Sequence, residues 1–140
     1  MIRRGTAADL AAIGRIQAAA TEAASWRPEE YLAYELWVAE AVTGEVAGFA
    51  VARTVAADEW ELLNLAVAPE SRRQGIGEAL LRRLLEAHPG AGYLEVRRSN
   101  VTAQKLYEKL GFEAVGKRAG YYQHQNSGSP EEGIVFRFQS

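Results

Sequence analysis

Asn64-Leu65-Ala66-Val67-Ala68-Pro69 and, two residues on, Arg72-Arg73-Gln74-Gly75-Ile76-Gly77 set an apolar strand directly before a glycine-rich turn. The strand fits Trp60 to Val67 and ends at the proline. Beyond the turn, Ile76, Leu80, Leu81, Leu84 and Leu85 fall on one broad helical stripe, which predicts a helix that His88-Pro89-Gly90 stops. Two glycines at the handover let the backbone turn tightly and aim successive N–H groups at one point. At a helix N-terminus such a cradle suits a phosphate or pyrophosphate. Taken alone, Arg-x-x-Gly-x-Gly reads equally well as glycines that merely permit a turn. It lacks the Lys-Ser/Thr of a nucleoside-triphosphate loop and the third glycine of the dinucleotide fingerprint.

Working outward toward the C-terminus, Gly92-Tyr93-Leu94-Glu95-Val96 reads as a short strand, and Ala103, Leu106, Tyr107 and Leu110 then follow helical spacing up to Gly111. Phe112 to Tyr122 and Gly133 to Phe138 complete the chain as two strands around the polar loop His124 to Pro130. Toward the N-terminus, Leu36 to Val42, the turn Thr43-Gly44-Glu45 and Val46 to Val55 form a hairpin. A short helix starts near Pro28, and Thr6 with Asp9 caps an earlier one carrying Leu10, Ile13 and Ile16, supported by the Ala-rich run to Ala24. Ile2-Arg3-Arg4 is the first strand. The order βααβββαβαββ predicts a mixed α+β layer arrangement, with 140 residues expected to build one domain spanning 1–140.

Composition narrows the function. Sixteen Lys and Arg against 18 Asp and Glu give a net charge of −2, which offers no general pull on nucleic acid. The absence of cysteine removes disulfides, thiolate zinc sites and an acyl-cysteine intermediate, so any acyl transfer is expected to be direct, in a ternary complex. His88 and His124 stand far apart without metal-ligand spacing, so no metal is expected. The N-terminus meets Asp9 before any long apolar run, which gives neither a signal peptide nor a membrane span and leaves the cytoplasm as the expected location.

By periodicity alone, Tyr107 belongs to an apolar helical stripe and Glu95 is the outward residue of an alternating strand. Asn100 reads as a helix cap. These positions also belong to longer motifs. The strand Asn64 to Pro69, the loop Arg72 to Gly77, Leu94-Glu95-Val96-Arg97-Arg98-Ser99-Asn100 and Ala103-Gln104-Lys105-Leu106-Tyr107-Glu108-Lys109-Leu110-Gly111-Phe112 occur in the order and spacing of four motifs. Together they resemble the GNAT superfamily of N-acetyltransferases, and within it the RimI type that acetylates the N-terminal alanine of a ribosomal protein.

The resemblance implies a GNAT fold: a mixed, mostly antiparallel sheet flanked by helices, with a splayed parallel strand pair holding acetyl-CoA. It implies that Arg72, Arg73, Gln74, Gly75, Ile76 and Gly77 hold the pyrophosphate. Leu65, Ala66 and Val67 would meet the pantetheine arm, with the Val67 N–H donating to the thioester carbonyl. Asn100 would contact the cofactor near its reactive end. Glu95 takes the place of the general base and Tyr107 that of the general acid.

The implied acceptor is a protein N-terminus, such as that of a small-subunit ribosomal protein. A small amine, an amino acid or an aminoacyl group is the alternative, and a non-catalytic acyl-CoA sensor the third reading. By position, Trp26, Tyr31, Tyr121 and Tyr122 are acceptor-site candidates, and Glu131 and Glu132 are acids that would attract a positively charged terminus. Arg72, Arg73, Arg97 and Arg98 read equally as phosphate partners or surface charges.

Overall fold

A computed structural model describes residues 1–20, 26–123 and 130–139, the side chains of 118–123, 130 and 131 lying outside that description. The chain begins with an electrostatic knot. In β1 (Ile2–Arg4), Arg3 places two guanidinium nitrogens on the Asp9 carboxylate at 3.0 and 2.9 Å, and Asp9 also accepts the Thr6 N–H at 2.8 Å. Asp9 thereby closes the 3-10 turn Ala7–Asp9 that leads into α1 (Leu10–Ala19). The Arg3 guanidinium holds the Asp9 carboxyl below the ordinary carboxylate range, against the opposing effect of burial.

A depressed folded pKa contributes stability above the unfolded value, and that stability is lost as pH falls toward the folded one. Asp9→Asn is expected to cost about 1.5–3 kcal/mol at pH 7, the scale of hydrogen bonds to a charged group. In urea titrations the difference from the parent chain should shrink as pH drops through the carboxylate range. A pH-independent difference would assign the loss to packing instead.

The helix expected at Pro28 is a 3-10 helix, Pro28–Ala33, too short to establish an α-helical ladder after its proline start. β2 (Glu35–Glu40), β3 (Val46–Ala56) and β4 (Glu59–Val67) follow as an antiparallel meander. After the 3-10 turn Pro69–Ser71 come α2 (Ile76–Ala87), β5 (Ala91–Arg97), α3 (Val101–Lys109), β6 (Glu113–Gln123) and β7 (Pro130–Gln139). α1 ends at Ala19, and residues 21–25 of the Ala-rich run lie outside the described residues.

All seven strands form one sheet in the order β1-β2-β3-β4-β5-β7-β6, in which β4–β5 is the parallel pair. Both faces are covered. On one, Leu80, Leu81 and Leu84 of α2 and Tyr107 and Leu110 of α3 pack on Trp60, Leu62, Leu94, Val96 and Phe136. On the other, Ile13 and Ile16 of α1 and Tyr31 pack on Val38, Phe49, Val51 and Ala66. The amphipathic stripes read from the sequence are therefore the faces that meet the sheet.

Candidate active site

The parallel pair is short. β4 and β5 register only at Glu59↔Ala91, Trp60↔Gly92 and Glu61↔Tyr93, although they run on to Val67 and Arg97. The paired end is clamped by Trp60, whose ring occupies the space where a side chain at Gly92 would lie, 2.5 Å from that Cβ position. Beyond it the strands separate, and the β4 edge facing β5 has no strand partner among the described residues.

A β-bulge marks the change. Val51 pairs with Asn64 and Ala52 with Leu62, so Leu63 is the extra residue. The alternation of β4 consequently flips: Trp60 and Leu62 enter the α2 face, whereas Asn64 and Ala66 turn to the α1 face.

Backbone directions follow from one bond. Ala68 donates its N–H to the Ala47 carbonyl at 2.8 Å, toward β3. Alternation then turns Ala66 toward β3 as well, and turns the N–H and C=O of Leu65 and Val67 toward the opening. Two neighbours already use part of this edge. The Leu65 N–H goes to Asn64 Oδ1 at 2.9 Å, and the Val67 carbonyl accepts from Arg72 Nε at 3.4 Å.

At the wide end of the opening, residues 72–77 form the turn into α2. Arg73 has φ 64° and Gly75 has φ 77°, left-handed conformations separated by one residue, which orient successive N–H groups to one side as an anion-binding concavity. Arg72, Arg73, Gln74 and Gly75 are exposed there. A Cβ on Gly77 would stand at ordinary contact distance, 3.7 Å from Val67 and 3.6 Å from Leu106. The protein's own packing thus does not demand glycine at 77, and a close-approaching ligand would.

Glu95 and Tyr107 lie on opposite faces of the sheet. Leu94 and Val96 pack in the core with Tyr107, so alternation along β5 turns the half-buried Glu95 to the other face. Tyr107 is 6% exposed, with its ring 6.1 Å from Phe136, the register partner of Leu94. Burial pushes its phenol pKa upward, so the hydroxyl remains protonated across the neutral range. No hydrogen bond among the described residues engages that hydroxyl. Asn100 caps α3, accepting the Ala103 N–H at 3.2 Å through Oδ1.

Several engaged residues escaped the sequence reading. Asn64, an amide between Leu63 and Leu65 in an otherwise apolar strand, was the available signal. It is 7% exposed and donates to the Tyr31 hydroxyl at 2.9 Å. Tyr31, expected as an acceptor-site candidate, instead has no exposed surface and belongs to the core. Trp26 is half-buried and stacks on Tyr31 with ring centroids 5.9 Å apart.

Two polar contacts brace the neighbouring helix ends. Gln104 donates to the carbonyls of Arg97 and Arg98, holding the end of β5 to α3. Glu78 in the first turn of α2 binds Lys109 at the end of α3 at 2.8 Å. Glu132 pairs with Arg98 at 3.4 Å, while the Tyr121, Tyr122 and Glu131 side chains lie outside the described residues. Among the described residues no group of three His, Asp or Glu could hold a metal ion, and no helix is long and apolar enough to cross a membrane.

This geometry has relatives. The family described as Acetyltransferase (GNAT) domain matches residues 33–114. The ribosomal protein bS18-alanine N-acetyltransferase of Escherichia coli K12 is 42% identical over 103 residues, covering 71% of this chain and 66% of the relative. The chain thus spans just under two thirds of that relative's length. The N-alpha-acetyltransferase RimI of Mycobacterium tuberculosis is 46% identical over 65 residues, 46% of this chain and 41% of the relative.

Among solved structures, the E. coli ribosomal-protein-S18-alanine N-acetyltransferase superposes with a TM-score of 0.84 at 31% identity, covering 99% of this chain and 92% of that one. Naa20 of Chaetomium thermophilum, in complex with a bisubstrate analogue, gives 0.88 at 23% identity over 99% and 86%, a likeness of fold.

Proposed function

The chain belongs to the GNAT acetyltransferase family, and from that membership we propose that it moves the acetyl group of acetyl-CoA directly to the N-terminal α-amine of a protein. The acceptor favoured is a ribosomal protein beginning with alanine, the substrate in the names of its E. coli relatives. The observation that carries the proposal is the edge of β4 beyond Glu61 that pairs with no strand among the described residues, beside the turn at 72–77. A pantetheine arm needs an extended run of backbone donors and acceptors, and a pyrophosphate needs converging N–H groups. Both lie along one opening.

The acyl donor supplies an activated acetyl group as a thioester. In our reading the amides of residues 72–77 hold the pyrophosphate, and the Leu65 carbonyl holds the pantetheine arm. The Val67 N–H faces the thioester oxygen, where negative charge grows during attack. In the same reading Asn100, whose side-chain oxygen is committed to the α3 cap, offers its amide nitrogen to the donor.

Glu95 serves the acceptor from the α1 side. An N-terminal amine has a pKa of about 7.7–8.0, so much of it is protonated at neutral pH, and Glu95 accepts that proton directly or through water. Tyr107 serves the leaving thiolate from the α2 side, donating its phenolic proton. Acid and base are thus kept apart by the sheet, with the opening as the place where their substrates meet.

Thiol release from acetyl-CoA tests this, using a peptide that copies an alanine N-terminus of a small-subunit ribosomal protein beside the same peptide already N-acetylated. Release with only the free terminus is the expected result. Tight acetyl-CoA binding with no release from either peptide would reject the N-terminal acceptor and direct the search to small amines.

A further inference from the structure

A polar chain, buried at Tyr31 and Asn64 and half-buried at Gln17, runs from the α1 side of the sheet to the edge of β4 that faces the opening. Gln17 on α1 donates through Nε2 to the Trp26 carbonyl and accepts the Tyr31 hydroxyl through Oε1. Asn64 Nδ2 donates to the Tyr31 oxygen at 2.9 Å and to Gln17 Oε1 at 3.3 Å. Asn64 Oδ1 then accepts the Leu65 N–H at 2.9 Å. The chain has a direction, since each donor in it meets an acceptor. Burial pushes the Tyr31 phenol up to about 12, so it stays a donor throughout the working range.

Buried amides are costly unless satisfied, and an apolar residue at 64 would pack against Tyr31 without that demand. The position of Asn64 explains what it does. It is the first residue after the bulge, the place where β4 turns its alternation and loses β5 as a neighbour. The next N–H along, that of Leu65, points into the opening with no strand to receive it. Asn64 Oδ1 takes the place of the missing strand.

We infer that Asn64 is a positioning residue for acyl transfer: by capturing the Leu65 N–H it leaves the Val67 N–H as the donor presented to the thioester, and through Tyr31 and Gln17 it ties that strand to the segment at Trp26. The inference rests on the acetyltransferase reading for its kinetic part. Its structural part stands on the hydrogen bonds alone. Tyr31 acts through Asn64, and touches neither substrate.

The test pairs amide hydrogen exchange with kinetics normalised to active sites, on the parent chain, Asn64→Leu, Tyr31→Phe and the double variant. Asn64→Leu should release the Leu65 amide, raising its exchange at least about tenfold while core amides of β3 keep theirs. The same variant should lower kcat roughly tenfold to a hundredfold, the scale of an ångström-level misplacement, with the acetyl-CoA Kd within about threefold. Tyr31→Phe should lower kcat by a smaller factor, roughly threefold to tenfold on the same scale, and should add nothing in the Asn64→Leu background.

An unchanged Leu65 exchange rate, an unchanged kcat per active site, or effects of the two substitutions that multiply would each overturn the inference. If Asn64→Leu does not fold, Tyr31→Phe alone decides: parent kcat per active site removes the relay. Absence of acetyl transfer in the parent chain would instead sink the proposed function, while the Leu65 exchange result still reports on the clamp.

Discussion

Tyr107→Phe is expected to lower kcat by roughly a hundredfold to ten-thousandfold, the range for a positioned acid or base, while the acetyl-CoA Kd stays within about threefold. The loss falls on kcat because the proton is needed only as the thiolate departs. A cysteine-type thiol has a pKa of about 8.5, so protonation of the departing sulfur is worth most at and below neutral pH. The substitution is structurally mild. Its hydroxyl has no hydrogen-bond partner among the described residues, and the ring contacts with Phe112 at 5.9 Å and Phe136 at 6.1 Å survive in phenylalanine. Thermal unfolding should therefore show the midpoint retained or slightly raised. A variant with parental kcat would remove Tyr107 from the acid role, and one with equal losses in kcat and in folded fraction would make it a packing residue.

Glu95→Gln is the second large effect, expected to lower kcat/KM by roughly a hundredfold at pH 7, with a deficit that narrows as pH rises. The sign follows from the acceptor. Below a pKa of about 8 the amine arrives protonated and needs a base; above it the solvent has already removed the proton. The deficit should thus decline between pH 7 and pH 9 in assays at saturating acetyl-CoA. A deficit constant over that window would show that Glu95 orients the acceptor rather than deprotonating it. Glutamine keeps the shape of the side chain on β5, so the Glu95↔Val135 register with β7 is unaffected.

Both predictions depend on residues whose simplest sequence reading was structural, and that reading was accurate as far as it went. Tyr107 is a core residue on the helical stripe, and Glu95 does alternate with Leu94 and Val96. Asn100 caps its helix. What periodicity could not supply is that the outward face of β5 at residue 95 lies beyond the end of parallel pairing. Local spacing reports which residues share a face; it carries no information about where two strands remote in sequence part company.

The residues overlooked have the same explanation. Asn64 stands within an otherwise apolar strand, and its partners Gln17 and Tyr31 lie 47 and 33 residues away, beyond the reach of local spacing. By position Tyr31 suits an acceptor pocket, as an aromatic near a loop. The structure gives it no exposed surface. A single apolar-looking strand hides the distinction until the bulge at Leu63 assigns each residue its face.

The sequence by itself determined the elements, their order and the glycine-rich turn into α2, because these rest on short-range physics: glycine freedom, caps, and apolar residues recurring at periods of two or 3.6. It also carried the family, through four motifs in one order. The tertiary structure decided the opening between β4 and β5, the opposite faces of the sheet on which Glu95 and Tyr107 lie, and which β4 amides point toward that opening. Those depend on the bulge at Leu63, on Trp60 lying over Gly92, and on the Asn64 clamp. Each is a contact between segments far apart in the chain, and such contacts exist only once the sheet has closed.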